Sequence, residues 1–374
     1  MALRRASVAS IAAVYLLAAC RGGAPDGRPA PSGTASVAPA AGLDEACTAG
    51  TARACFDLGA KLADGDGVPV DKPRAIGLYR RACDGDNADG CFNLGLVLAG
   101  GDGGPVDKVG ARSAYERGCA VDDQESCNNL GLMLEQGDGG AVDLAAASAA
   151  YQRACSSSYS GGCVNLGLMA ESGLGGPVDK PRAVALYEQA CAGQAVVGCG
   201  NLGLLLARGD GIAVDKVRAA RLYDQACTGG VAIACVRLGS LLETGDGMPV
   251  DKARAAALYQ RACLADEVAA CSAAANGDRD RMVVLLGQAC DGGAAHACNV
   301  LGVKASTGYQ VPVDQARGVG LYETSCDGGF SVGCWNLANA LDGGEGTPRD
   351  PARAAAMRGR ACALGMTTAC GAAP

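Results

Sequence analysis

Twenty of the 21 cysteines in this 374-residue chain follow one spacing rule, and this rule is the strongest constraint on its fold. From Cys47 to Cys370 they form pairs eight residues apart, and successive pairs begin 36 residues apart, except for one step of 27. A fixed period of this length predicts an array of similar structural units. Each unit would pack mainly against its neighbours, as in a solenoid, so the chain would not need one large core.

Each unit has two segments with helical periodicity around a glycine-rich loop. In one unit, Cys91, Leu94 and Leu98 have the spacing of a single helix face. The loop, for example residues 65–71, ends in an aspartate that is placed to be the N-cap of a second helix. We therefore predict an all-α chain, an α-solenoid of antiparallel helix pairs with about nine 36-residue repeats, one of them shortened.

A Leu-Gly pair recurs inside the first helix of seven units. Glycine in a helix costs about 1 kcal/mol relative to alanine, so its repetition needs a common cause. We expect that a neighbouring helix crosses there too closely for a side chain. The second helix has a tyrosine shortly before its cysteine, at Tyr79, Tyr115, Tyr151, Tyr187, Tyr223, Tyr259 and Tyr322.

Two disulfide pairings fit this array, with partners either eight or 28 residues apart. The longer pairing leaves Cys47 and Cys370 unpaired, whereas the shorter one uses all twenty cysteines. The eight-residue offset is also kept on both sides of the 27-residue step. Closing such a small loop contributes about 2–3 kcal/mol in the chain-entropy model. We predict a solenoid stapled by the bonds Cys47-Cys55, Cys83-Cys91, Cys119-Cys127, Cys155-Cys163, Cys191-Cys199, Cys227-Cys235, Cys263-Cys271, Cys290-Cys298, Cys326-Cys334 and Cys362-Cys370.

So many cysteines favour disulfides in an oxidising compartment over a metal. Zinc sites need closely spaced cysteine pairs or several histidines, and the chain has one His and no two cysteines closer than eight residues. The aspartate-rich loops lack the terminal glutamate of a calcium loop, and capping explains them better. We predict no metal and no cofactor.

The N-terminus resembles a bacterial lipoprotein signal. Arg4 and Arg5 precede an apolar stretch at residues 8–17, and Leu17-Ala-Ala-Cys20 follows. Cys20 is also the one cysteine outside the pairs; the alternative is an ordinary secretory signal. We predict a signal peptide at 1–19, a lipidated Cys20 with a flexible linker at 20–42, and repeats at 43–371. Residue 21 is Arg, which favours the outer membrane of the envelope.

The shortened repeat occupies residues 271–297. Aligned backwards from Cys290, residues 278–289 match a second helix, with Leu286 in the tyrosine position. The missing residues therefore belong to the first helix and its loop. We expect a local defect or bend at this place without a separate domain boundary.

The motifs Cys-x-x-Leu-Gly-x-x-Leu, Gly-Asp-Gly-x-Pro-Val-Asp and Leu-Tyr-x-x-Ala-Cys resemble the Sel-one-like repeat family, and most closely its cysteine-rich secreted branch. The resemblance covers residues 43–371, and departs at the short repeat and at Asn336-Leu337-Ala338. For the fold, the resemblance implies tetratricopeptide-like helix pairs in a right-handed superhelix. For the function, it implies an adaptor that binds peptides or proteins on a concave face. Some cysteine-rich members are described as penicillin-binding proteins or slow β-lactamases, which is the alternative function.

Catalytic candidates are weak. No serine is followed three residues later by lysine, as a serine β-lactamase requires. Ser331 lies in a Gly-x-Ser-x-Gly match, and His296 occupies the equivalent turn one unit earlier. The two could be neighbours, but no acid is evident to orient the histidine. We favour an inert turn serine and a surface histidine, and we expect that the chain is not an enzyme.

A better candidate is a row of asparagines two residues after a cysteine, at Asn93, Asn129, Asn165, Asn201 and Asn336. On the inner helices of a solenoid, these amides could hydrogen-bond the backbone of an extended peptide; alternatively, each satisfies a turn within the array. The net charge of −7 disfavours nucleic acid. The expected partner is a peptide or envelope protein, with membrane contact through the lipid anchor only. A mechanical spacer at the envelope is a third possibility.

Overall fold

In the computed structural model, residues 40–156, 159–265, 268–275, 279–309 and 311–371 are described, and these residues contain helices and no strand. The predicted signal peptide, Cys20 and most of the linker lie outside them. The helices are α1 (Ala40–Thr48), α2 (Ala52–Asp64), α3 (Lys72–Asp84), α4 (Ala88–Gly100), α5 (Lys108–Ala120), α6 (Gln124–Gln136), α7 (Leu144–Ser156), α8 (Ser160–Ser172), α9 (Lys180–Ala192), α10 (Val196–Arg208), α11 (Lys216–Thr228), α12 (Ala232–Thr244), α13 (Lys252–Leu264), α14 (Val268–Ala275), α15 (Arg279–Asp291), α16 (Ala295–Thr307), α17 (Gln315–Asp327), α18 (Ser331–Gly343), α19 (Pro351–Ala363) and a 3-10 turn, Thr367–Ala369.

The even-numbered helices are the first helices of the repeats, and the odd-numbered ones are the second helices. First helices pack on the second helices that follow them, as in α2 with α3 and α16 with α17, and second helices pack on the next first helices, as in α3 with α4 and α17 with α18. The chain is therefore an α-solenoid of helix pairs, as its period predicts. The first described helix begins at Ala40, slightly before the predicted boundary at residue 43.

The two ends of the loop between paired helices are set by glycine and aspartate. The first helix α2 ends at Gly65, which has a φ of 78°, a conformation that suits glycine. The carboxylate of Asp71 accepts a hydrogen bond of 3.0 Å from the backbone N–H of Arg74 and caps α3. The capping prediction is confirmed at the equivalent aspartates, which are Asp107, Asp143, Asp179, Asp215, Asp251, Asp314 and Asp350.

The recurring tyrosine lies on the recurring glycine. A Cβ placed on Gly95 would come within 2.4 Å of the ring of Tyr115, and the same relationship holds in the other regular repeats with a tyrosine. The close crossing that the Leu-Gly motif predicts is therefore confirmed, and the group that crosses is an aromatic ring. In the last repeat, where the glycine is replaced by Ala338, the tyrosine position is occupied by Arg358, which makes an ion pair with Asp342.

Disulfides link second helices to the first helices that follow them. The structure has bonds Cys47–Cys55, Cys83–Cys91, Cys119–Cys127, Cys155–Cys163, Cys227–Cys235, Cys263–Cys271, Cys290–Cys298, Cys326–Cys334 and Cys362–Cys370. Cys191 and Cys199 are disulfide-bonded as well. This is the eight-residue pairing favoured by the sequence.

Arginine side chains add a second link between repeats. Arg81 donates from Nη2 to the carbonyl oxygen of Cys47 at 2.7 Å, and Arg117 and Arg153 make the same contact with Cys83 and Cys119. These carbonyls belong to the last turn of a second helix, where the helix supplies no partner for them. The arginine therefore caps the helix of the preceding repeat.

The shortened repeat has lost part of its first helix. Helix α14 has 8 residues, whereas the regular first helices have 13, and the second helix α15 keeps the full 13 residues. The expected location of the deletion is therefore confirmed. The second helices α13 and α15 on either side of it contact each other, as α3 and α5 do between regular repeats.

The chain divides into two compact units, one up to Gly198 and the other from Cys199. The core of the first unit consists of cysteines, alanines and leucines with one buried tyrosine for most repeats, such as Tyr79, Tyr115 and Tyr151. In the second unit, Tyr322, Leu337 and Leu341 form a similar cluster. In the described residues, no helix is both long enough and apolar enough to cross a membrane.

Candidate partner-binding surface

The five asparagines of the predicted row occupy equivalent positions on first helices, and each is half-buried. Asn93, Asn129 and Asn165 lie on α4, α6 and α8 of the first unit, and these helices contact one another in order. Three amides therefore follow one another across neighbouring helices in that unit. Asn201 and Asn336 lie on α10 and α18.

Part of the hydrogen-bonding capacity of these amides is used within the repeats. Asn165 donates from Nδ2 to Oδ1 of Asn128 at 2.8 Å, and in the second unit Asn336 makes the same contact with Asn299 at 2.9 Å. Both acceptors directly follow a cysteine of the preceding repeat. An amide has two N–H donors and an acceptor oxygen, so one such bond leaves capacity for another group.

The remaining asparagines differ in their contacts. Asn93 donates to the backbone carbonyl of Asp89 at 2.8 Å, in its own helix, whereas the amide of Asn129 lies near the hydroxyl of Tyr115. The Nδ2 atom of Asn201 is shielded from solvent and has no hydrogen-bond partner among the described residues. A buried donor without an acceptor costs about 1–3 kcal/mol.

A leucine lies three residues after each of four of these asparagines, a spacing that puts the two side chains on one helix face. Leu96 is 44% exposed, and Leu132, Leu168 and Leu204 are half-buried. We call this surface the Asn–Leu face; it consists of Asn93, Leu96, Asn129, Leu132, Asn165 and Leu168 in the first unit. The sequence prediction missed the leucines, although the second Leu of Leu-Gly-Leu is their signal.

Behind the Asn–Leu face lie the tyrosines that fill the core. Burial raises the pKa of Tyr115 to about 12, and the nearby amide of Asn129 has a smaller, opposite effect. Burial also raises the pKa of Tyr79 to about 12, with a smaller effect from the nearby carboxylate of Asp64. These phenols are neutral core groups at physiological pH.

The Gly-x-Ser-x-Gly match lies in a helical setting. Ser331 is the first residue of α18, and this part of the described chain has no strand before it. The motif marks a nucleophile only at the turn between a strand and a helix. His296 lies on α16 and stacks on Phe330, the residue before Ser331, with ring centroids 4.9 Å apart. The structure therefore brings His296 close to the serine segment, in a stacking contact.

The aspartates of the glycine-rich loops make ion pairs with lysines of the preceding repeat. Asp102 lies 2.6 Å from Nζ of Lys72, and Asp138 lies 2.6 Å from Nζ of Lys108. Within the described ranges, no group of three or more His, Cys, Asp or Glu side chains is placed to hold a metal ion.

The repeat unit matches a known family model, the Sel1 repeat, in eight segments: residues 52–87, 88–119, 124–159, 160–194, 196–231, 232–267, 295–330 and 331–366. The chain belongs to the Sel1 repeat family. The segment between residues 267 and 295 is not matched, and it coincides with the shortened repeat. Sel1 repeat proteins are generally non-catalytic scaffolds that typically mediate protein–protein interactions.

Solved structures with this fold extend over most of the chain. One is c5321, a protective antigen present in uropathogenic Escherichia coli strains that displays an SLR fold; it is 20% identical, with a TM-score of 0.63, and the match covers 89% of this chain and 81% of that one. Another is a Sel1 repeat protein from Oxalobacter formigenes, 22% identical, with a TM-score of 0.53, covering 60% of this chain and 96% of that one. No curated protein sequence matches the chain.

Proposed function

We propose that this Sel1 repeat protein is an exported scaffold that binds an extended segment of a protein partner on its Asn–Leu face. The observation that supports this most is the recurrence of the same amide and the same partly exposed leucine on neighbouring first helices. An extended peptide has backbone N–H and C=O groups at regular intervals, and asparagine can donate to one and accept from the other. The leucines would contact apolar side chains of the same segment.

The proposed location is the bacterial envelope. The disulfide content indicates an oxidising, exported compartment. We propose that Cys20 is lipidated after removal of residues 1–19 and that the linker then tethers the repeats to the outer membrane. Metabolic labelling with a fatty acid tests this step, because Cys20→Ser should abolish the label. Equal labelling of the variant would contradict the anchor.

The binding proposal is tested with the oxidised, soluble Cys20→Ser protein and envelope extract. The double variant Asn129→Ala with Asn165→Ala should lose most of the partner that the parent protein retains, while its thermal unfolding stays cooperative. Val109→Ala is the matched control, because Val109 is 67% exposed on the second helix α5. Equal retention by the double variant would contradict the role of the Asn–Leu face.

A further inference from the structure

A groove opens next to the shortened repeat. It lies between α15, α16 and the start of α17, has a volume of about 520 Å³, and is lined mainly by Val283, Val284, Leu301, Ala305 and Pro312. At a regular repeat of the first unit, the corresponding space between α7, α8 and the start of α9 is about 100 Å³. The larger volume is in the range of sites that hold a ligand group.

The loop before α17 differs in sequence from the loops of the regular repeats. In regular repeats, the second glycine of the loop lies on the start of the preceding second helix: a Cβ on Gly139 would be 2.3 Å from the carbonyl oxygen of Lys108, and a Cβ on Gly175 would be 2.7 Å from that of Leu144. At this position the sequence has Gln310. The glycine that lies on the preceding helix in those repeats is therefore absent from this loop.

A second departure concerns Arg317, which also lines the groove. In four other repeats, the equivalent arginine bonds an acidic or amide side chain 30 residues earlier; the pairs are Arg74–Asp44, Arg182–Gln152, Arg254–Asp224 and Arg353–Glu323. The corresponding residue for Arg317 is Gly287, which has no side chain to accept a bond. Among the described residues, the exposed guanidinium of Arg317 has no ion-pair partner.

The two carboxylates of the groove do not replace this partner. The carboxylate of Asp314 accepts the backbone N–H of Arg317 at 2.9 Å and caps α17. Asp280 is exposed in the first turn of α15, where the helix dipole favours a negative charge. Asp280 lies at the edge of the groove, and its negative charge disfavours a ligand that carries more than one negative group.

We propose that the groove binds a peptide segment of a partner protein in which an apolar side chain lies next to a single carboxylate. The apolar side chain is buried against Val283, Leu301 and Ala305, and the carboxylate pairs with Arg317. A charge-assisted hydrogen bond of this kind is worth more than a neutral one, so the ligand's charge decides its affinity. This site is separate from the Asn–Leu face and does not depend on it.

Calorimetric titration with three capped pentapeptides tests the proposal: acetyl-Ala-Leu-Glu-Val-Ala-amide and its versions with Gln or Lys in place of Glu. The protein is the oxidised, full-length Cys20→Ser form. We expect the Glu peptide to bind about tenfold more tightly than the Gln peptide, in line with the strength of charge-assisted bonds. The Lys peptide should bind more weakly than either. Equal affinity for all three peptides, or no binding of any, would overturn the proposal.

Variants locate the site. Arg317→Gln should remove the preference for Glu, and Gly287→Glu should have the same effect, because it supplies the missing partner in a position where a Cβ meets no other atom. Arg182→Gln, the equivalent change in a regular repeat, should leave the preference intact, as should the Asn129→Ala, Asn165→Ala double variant. An unchanged preference in Arg317→Gln, or binding of octanoate without binding of the Glu peptide, would show that no such peptide site exists.

Discussion

Tyr151 lies on Gly131 so closely that a Cβ on the glycine would come within 2.5 Å of ring atom Cε1. The tyrosine ring is fully buried, and its hydroxyl donates to Glu135 at 2.9 Å, so the ring cannot move away easily. Equivalent Gly–Tyr contacts hold the two helices together in the other regular repeats that have both residues.

Gly131→Ala should therefore destabilise the protein by about 1–3 kcal/mol, the usual cost of an overpacked core. The matched control is Gly77→Ala, in the middle of α3, where a Cβ meets no other atom within 4 Å. That change should stabilise the protein by about 0.5–1 kcal/mol, because alanine favours the helix. Urea unfolding midpoints measure both; a stabilised Gly131→Ala would disprove the steric account.

A second steric pair lies beside the disulfides. A Cβ on Gly118 would be 2.3 Å from Oγ of the buried Ser126, whereas the preceding repeat has Ala82 and Gly90 at these two positions. Gly118→Ala alone should cost about 1–3 kcal/mol. Adding Ser126→Gly recreates the Ala–Gly pair and removes a hydroxyl that has no partner among the described residues, so the double variant should regain the lost stability. Additive losses in a double-mutant cycle would contradict this contact.

The buried tyrosines predict an alkaline limit to stability. The pKa of Tyr115 is about 12 in the folded protein, against 10.0 for an ordinary phenol. As the pH rises, the phenol loses its proton in the unfolded chain before it does so in the folded protein. The contribution of the buried, protonated Tyr115 to folding stability is therefore complete below pH 10 and is lost as the pH rises towards 12. The urea midpoint of the Cys20→Ser protein should fall over this pH interval, and Tyr115→Phe should make the midpoint fall less steeply with pH. A slope that is the same in the variant would show that Tyr115 does not contribute.

The resemblance to cysteine-rich repeat proteins raises slow β-lactam hydrolysis as an alternative activity. Because Ser331 begins a helix and does not follow a strand, we expect nitrocefin turnover by the oxidised protein to lie far below the roughly 1–1000 per second typical of enzymes. Ser331→Ala and His296→Ala are the informative variants. Robust turnover that either substitution abolishes would identify a catalyst.

The sequence predicts the helix pairs, the N-caps and the disulfide pairing because each depends on a local pattern that recurs with the 36-residue period. Apart from the disulfides, contacts between repeats were not predicted, since they join residues about thirty positions apart whose relationship appears only when neighbouring helices are placed. The bond from Arg81 to the carbonyl of Cys47 is one example. The groove at Arg317 is another, because it lies where a single repeat departs from the sequence pattern, as at Gly287.

The central claim is that the Asn–Leu face binds a partner, and site-specific photo-crosslinking tests it most directly. A photoreactive benzoylphenylalanine replaces Leu96, at the exposed edge of that face on α4, or Val109, on the second helix α5; both side chains are exposed. In the envelope of intact cells, the probe at position 96 should form a defined crosslink to another protein, which excess soluble Cys20→Ser protein prevents. The probe at position 109 should not form it. The same crosslink from both positions, or a crosslink from position 109 only, would contradict the account.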